Sequence, residues 1–357
     1  MHELIPDLIR WHSKNEQVGL AMVLQTWGSA PRQAGGCMAF TSNGEFRGSV
    51  SGGCVENAVI EAGLEVLRTG QAQLLQFNVT DDSAWEVGLS CGGSVEIFVT
   101  IFDPKMIERV IQIIQESRKS VWITCIHGPR ASFGKQMLIL DDGSVLGSLD
   151  SIPQPKLEVL AAKTLHSGSA HREFMDDAHE VFITLLQPPP QVIIIGGVHI
   201  AQSLVSLAKV LGFRTVVLDP RLAWNSRDRF PNVDQLIHTW PQDGLLDLGI
   251  DSQTAVVSLS HDPKLDDPAL QIALTSPAFY IGALGGKSTQ ANRMNRLRAN
   301  GVTDSALSRL HAPIGLAIGA SNPAEIAVSI MAEIVQAYHS PARLAGFSGT
   351  SRLKQTV

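Results

Sequence analysis

The sequence predicts an α/β protein in two parts: an N-terminal α/β domain built from two copies of one strand-hairpin-helix unit, and a C-terminal doubly wound parallel sheet. Three observations carry this. GGCMAFTSNGEFRGSVS (Gly35 to Ser51) lies without a gap over GKQMLILDDGSVLGSLD (Gly134 to Asp150). Three consecutive prolines, Pro188 to Pro190, interrupt the chain where neither a helix nor a central strand can continue. Beyond them, short β-branched runs alternate with helix-like stretches, the pattern of parallel βαβ units.

Along the chain, MHELIPDLIRWHSKNE is charged and amphipathic, unlike a secretory leader. AMVLQTWG reads as a strand, and the hairpin after it turns at Asn43-Gly44, as its second copy turns at Asp142-Gly143; both dipeptides suit the left-handed backbone of a tight hairpin. ENAVIEAGLEVLRTG follows as a helix and EIFVTIF closes the unit. VWITCIHG, PKLEVLAAKTLHSG and EVFITLL repeat that order, which sets the N-terminal domain at 1–186, with copies over about 1–102 and 103–186. Residues 187–191 read as a stiff linker. VIIIGG, RTVVLDP, TAVVSLS and AFYIGALGG are strands of a second domain over 192–340, and 341–357, polar with Gly and Ser, reads as a flexible tail.

Composition excludes several function classes. Of 357 residues, 44% are hydrophobic, and 28 Lys plus Arg stand against 34 Asp plus Glu with no long run of either sign. This argues against nucleic acid or an anionic membrane as the main partner. No apolar run reaches spanning length, so a soluble, cytoplasmic protein is expected. Four cysteines without CxxC spacing describe neither a disulfide framework nor a zinc finger.

The repeat serves as an internal control, since what both copies share is scaffold and what one alone carries is a candidate for function. The first copy alone has SGGCVE where the second has SIPQPK, Cys37 where the second has Gln136, and the insertion TDDSAWEVGLSCGG. Three glycine-bearing loops, with Cys37, Cys54 and Cys91, are confined to one half. Glycine pairs expose backbone N–H groups to a flat anionic ligand. This marks Gly28, Arg32, Gly35, Gly36, Gly52, Gly53, Glu56, Cys91, Gly92 and Gly93 as a binding set. Cys54 lies next to a helix N-terminus, whose dipole favours a thiolate, and a soft thiolate suits a soft metal or a sulfur carrier. Cys54 and Cys37 are therefore the candidate reactive thiols. The bland alternative is that each is a small core residue; three thiolates on one zinc is a further one.

In the second domain a dinucleotide fingerprint would need Gly196, a glycine at 198 and Ala201, but position 198 is Val, which should crowd a pyrophosphate. Asp219 still occupies the ribose-binding position. His199, His261, Gly285 and Lys287 lie at strand ends where ligands of such sheets bind. Gly319 to Ser321 precede a capping-box helix start, and their amides are a candidate anion cradle.

GSAPRQAGGCMAFTSNGEFRGSVSGGCVE and GLSCGG resemble the N-terminal domain of the XdhC/CoxI family, maturation and insertion factors for molybdenum hydroxylases such as xanthine dehydrogenase. IGGVHIAQSL, VVLDPR, SHD, YIGALGGK and HAPIGLAIGASNPAEIAVSIMAEI resemble that family's C-terminal Rossmann domain. Together they cover nearly the whole chain; the family usually has glycine where this chain has Val198. The resemblance implies a homodimeric chaperone rather than an enzyme with its own turnover. It would bind molybdenum cofactor, as molybdopterin or its nucleotide form, with Cys54 contacting the molybdenum. It would support sulfuration with a cysteine desulfurase and deliver the cofactor to an apo molybdenum hydroxylase. The rivals are an NAD(P)-dependent oxidoreductase, which Val198 disfavours, and a thiol-dependent sulfur carrier.

Overall fold

A computed structural model describes residues 1–27, 32–77, 93–168 and 170–340. The chain forms two compact units that part between Pro188 and Pro189.

In the first unit, β1 (Val18–Trp27) is the centre of an antiparallel sheet with β2 (Cys37–Thr41), β3 (Phe46–Gly48), β4 (Gln73–Phe77) and β5 (Ser94–Phe102), in the order β3-β2-β1-β5-β4. A second sheet repeats that order as β8-β7-β6-β10-β9. Its strands are β6 (Ser120–His127), β7 (Gln136–Leu140), β8 (Val145–Gly147), β9 (His171–Phe174) and β10 (Glu180–Leu186). Each copy opens with a helix, α1 (Ile5–Ser13) or α3 (Pro104–Gln115), and carries a second between its hairpin and its last two strands, α2 (Glu56–Thr69) or α4 (Gln154–Ser167). Gly48 and Gly147 end equivalent strands with φ of 82°, and at each a Cβ would strike the carbonyl of Cys37 or Gln136, so only glycine fits the duplicated turn.

Strand alternation divides the core. Ala21 and Val23 of β1 pack outward on α2, while Leu20, Met22 and Leu24 face an inner cluster shared by both copies, with Trp11, Val110, Phe102 and Trp122. Phe102 stacks on Trp122 at 5.1 Å between centroids. Arg172, from the second copy, pairs with its own Glu180 and with the equivalent Glu96 of the first, fastening the two copies with one guanidinium.

The second unit is a six-stranded parallel sheet, order β13-β12-β11-β14-β15-β16. It comprises β11 (Gln191–Ile195), β12 (Arg214–Leu218), β13 (Gln235–Ile237), β14 (Thr254–Ser258), β15 (Tyr280–Ala283) and β16 (Leu310–His311). Helices α5 (His199–Val210), α6 (Pro241–Leu248), α7 (Pro263–Thr275), α8 (Lys287–Ala299), α9 (Asp304–Leu307) and α10 (Pro323–Tyr338) complete it. Apolar clusters lie on both faces of the sheet, as a doubly wound fold requires. The order reverses between β11 and β14, which makes their carboxyl ends the switch point. No helix among the described residues is long and apolar enough to cross a membrane. The tail 341–357 lies outside the described residues.

Candidate functional site

Strand register brings to one end of the first sheet the strand residues that flank the segments peculiar to the first copy. Met22 pairs with Cys37, Met38 with Gly48, Trp27 with Ser94 and Phe77 with Val95, so Trp27, Cys37, Gly48, Phe77 and Ser94 all stand toward that end. Gly28, Cys91 and Gly92 lie outside the described residues; Gly93 is buried at the start of β5.

The loop Ser49–Val55 is organised by Glu56, the first residue of α2. Its carboxylate accepts from the Ser49 and Ser51 hydroxyls at 2.6 Å each and from the N–H groups of Val50 (3.2 Å), Ser51 (3.0 Å), Gly52 (3.2 Å) and Gly53 (2.9 Å). Burial pushes this carboxyl up, but the donors override it and hold it at about 2, against an ordinary 4.5. This corrects the expectation that Gly52 and Gly53 turn their amides to a ligand: both are taken up by Glu56. Their positive φ, 87° and 120°, is what wraps the loop around the carboxylate.

Cys54 sits on that frame, its N–H donating to Ser51 Oγ at 2.9 Å and its side chain partly exposed. The helix begins two residues later, with Val55 as N-cap. Cys37 is different. It is 4% exposed in the inner apolar cluster, so it reads as core and leaves Cys54 as the accessible thiol among the described residues. Gly35 and Gly36 extend the pairing to Val23, Gly35 N–H donating to its carbonyl and Gly36 C=O accepting from its N–H, and Gly36 N–H bonds Gln33; these amides too are engaged within the fold. Arg32 pairs with Glu3 at 3.2 Å. Cys125 is buried in β6, and burial pushes its thiol up to about 11. Among the described residues no three His, Cys, Asp or Glu come together as a metal site.

At the switch point of the second unit, the expected ligand positions are largely filled by the protein itself. Gly197 N–H donates to Asp219 Oδ2 at 2.8 Å, and the Trp224 carbonyl lies against Gly197 where any Cβ would stand. Asp219 is fully buried and also holds the Arg221 backbone N–H, Nε and Nη2 at 2.9, 2.9 and 2.7 Å, so it has little left for a ribose. Its carboxyl, pushed up by burial, is brought below the usual range by Arg221 and the Gly197 amide. The Arg221 and Arg229 guanidinium carbons lie over the Trp224 ring, 4.8 and 5.3 Å from its centroid. Val198 is the N-cap of α5 and packs partly on the core, so the crowding comes from one residue earlier than the sequence indicated. Gly197 and Arg221 lie within IGGVHIAQSL and VVLDPR but were not singled out there, and Trp224, in the coil between β12 and β13, carried no motif.

His199 is exposed at the start of α5, and His261 is exposed at φ 61° beyond β14, in a backbone region that costs a histidine strain. Gly196 (φ 100°) lies against Ser260. Lys287 is exposed at the first turn of α8, and the Gly285 carbonyl accepts from Gln290. The amide cradle at Ser321 is already filled: its N–H and hydroxyl bond Glu325 at 2.8 and 3.0 Å, while Asn322 caps α10. Its role is therefore that of a helix start.

Two family models match the chain, the XdhC and CoxI family over residues 11–78 and the XdhC Rossmann domain over 192–334, in the order the two units require. The chain belongs to the XdhC/CoxI family. A protein of Bacillus subtilis described as a probable xanthine dehydrogenase subunit is 29% identical to this XdhC/CoxI chain over 329 residues, 90% of this chain and 93% of that one. The molybdenum cofactor insertion chaperone PaoD of Escherichia coli is 24% identical over 318 residues, covering 88% and 81%. A crystal structure described as a xanthine dehydrogenase from Bacillus halodurans shares the fold, with a TM-score of 0.75 at 24% identity, over 96% of this chain and 99% of that one.

Proposed function

We propose that this XdhC/CoxI chain is a molybdenum cofactor chaperone, which holds the cofactor as cargo and passes it to a molybdenum hydroxylase. The observation that carries this reading is the half-exposed Cys54 on the Glu56-braced loop, which has no counterpart in the second copy. A soft thiol there can meet a molybdenum centre or accept sulfur for it. The names of the relatives, one a cofactor insertion chaperone and one a component of xanthine dehydrogenase, point the same way. A cysteine desulfurase and the apo-enzyme are the partners such a sequence of steps needs. The glycine amides, being taken up by Glu56 and by strand pairing, are not assigned to the cargo.

The rival, an NAD(P)-dependent oxidoreductase, is disfavoured by the covered Gly197 turn and the occupied Asp219. Anaerobic purification from cells making the cofactor, with metal and pterin analysis of wild type and Cys54→Ser, tests the proposal. Cofactor lost with Cys54 while the fold is kept supports it, and equal loading of both proteins defeats it.

A further inference from the structure

The two copies of the first unit meet each other in equivalent ways. Gly35 of the first lies against Ala170 and Thr184 of the second, and Gly134 of the second lies against Ala72 and Thr100 of the first. One place breaks the equivalence. In the first copy a 3-10 turn, His2–Leu4, lies beside the hairpin. Leu4 is fully buried in the inner cluster, its Cδ2 2.8 Å from where a Cβ on Gly48 would stand, and His2 hydrogen-bonds the backbone at Gln187. Glu3, between them, stays at the surface and pairs with Arg32 at 3.2 Å. The second copy has no such turn, because β5 runs through Phe102 almost directly into α3, and the nearest neighbours of the equivalent point on Gly147 are backbone atoms of Gln136 and Met137.

A cavity of about 600 Å³ stands where the turn would be, lined in part by Ala72, Lys105, Phe133, Lys135, Leu146 and Gly147. That is room for a few side chains. Ala72, Phe133 and Leu146 are partly buried and pack against the same inner cluster that Leu4 completes in the first copy. An apolar side chain seated among them would extend that cluster and take its own surface and theirs out of water. The rim is positive. Lys105 and Lys135 are exposed and have no ion pair among the described residues. Asp103, the acid in the lining, is engaged as the N-cap of α3, its carboxylate accepting from the Lys105 N–H at 2.8 Å. An apolar seat with two cations at its edge is the complement of a leucine preceded by an acid, the pair that Glu3 and Leu4 present to the first copy.

We propose that the cavity beside Gly147 docks a turn of a partner protein in which an acidic residue directly precedes leucine. The leucine sits on Phe133 and Leu146, and the acid meets Lys105 and Lys135. The site shares no residue with the Cys54 loop and does not rest on the function proposed for that loop. The probe is an acetylated peptide with the sequence of residues 1–8, MHELIPDL, carrying fluorescein at its C-terminus, and anisotropy reads its binding to the full chain. The chain's own turn holds the first-copy slot from a tether, at an effective concentration a free peptide does not match, so the peptide reports on the open cavity. Binding should be saturable. Within the peptide, Leu4→Ala should weaken it by about tenfold and Glu3→Lys by about threefold or more. On the protein, Leu146→Glu and the double exchange Lys105→Glu, Lys135→Glu should each weaken the parent peptide by about threefold or more, and the double variant should bind the Glu3→Lys peptide better than the parent one. The lysines are at the surface, so the double variant decides the matter should Leu146→Glu fail to fold. No saturable binding at about 1 mM protein, a Leu4→Ala peptide that binds like the parent, or unchanged affinity for the parent peptide in the lysine double variant overturns the proposal.

Discussion

Replacing Glu56 by Gln removes one charge from the most heavily bonded carboxylate of the first unit while keeping its shape. The carboxyl titrates at about 2 in the fold against an ordinary 4.5, so its folded pKa is depressed. The stability this contributes is fully present above pH 4.5 and is lost as pH falls toward 2; converted, it is about 3 kcal/mol at most at pH 7. A glutamine would also turn an NH₂ group toward donors that include Ser49, Ser51 and the Gly53 amide. Urea unfolding of wild type and Glu56→Gln should therefore differ by about 2–3 kcal/mol at pH 7 and by less than about 1 kcal/mol near pH 2. Because Ser51 Oγ also accepts the Cys54 N–H, iodoacetamide should label Cys54 at a different rate in the variant. A stability difference that is absent, or equally large at both pH values, would refute the account of the loop.

Cys37→Ser should destabilise by about 1–3 kcal/mol, the effect of a hydroxyl in an apolar cluster, and Cys125→Ser by a similar amount, whereas Cys54→Ser should leave the melting temperature nearly unchanged; thermal unfolding of the three separates them. Arg172→Met should destabilise the first unit by about 3 kcal/mol, since it strands the buried Glu96 and Glu180 carboxylates, and a double exchange with Glu96→Gln should recover part of it. NADH should give no binding heat with wild type, and none with Val198→Gly, because the Trp224 carbonyl and Asp219 still occupy the Gly197 turn; micromolar binding by either would restore the oxidoreductase reading.

The duplicated fold was legible because its signals are local and doubled. Asn43-Gly44 and Asp142-Gly143 mark the turns, and Gly48 and Gly147 recur where only glycine fits. The long strands and helices of the parallel sheet were equally plain, whereas β13 and β16, of three and two residues, are too short to show a period. At the candidate site, restriction to one copy singled out these loops, and Glu56 was named for binding. That its carboxylate would consume the glycine amides was not legible, since a nest that binds an external anion and one that binds its own glutamate share a sequence pattern. Cys37 lies in β2, whose phase turns its side chain into the inner cluster, whereas Cys54 lies on the loop before α2, a difference no residue pattern announced. The Trp224 cover on Gly197 is a contact between residues far apart in sequence, with no motif to announce it.

The central claim is that this chain carries molybdenum cofactor by way of Cys54. The most direct measurement is the molybdenum and pterin content of the anaerobically purified full chain, wild type beside Cys54→Ser. The account predicts metal and pterin together on wild type and loss of both in a folded Cys54→Ser protein; equal content in the two, or none on wild type from cells that make the cofactor, would contradict it.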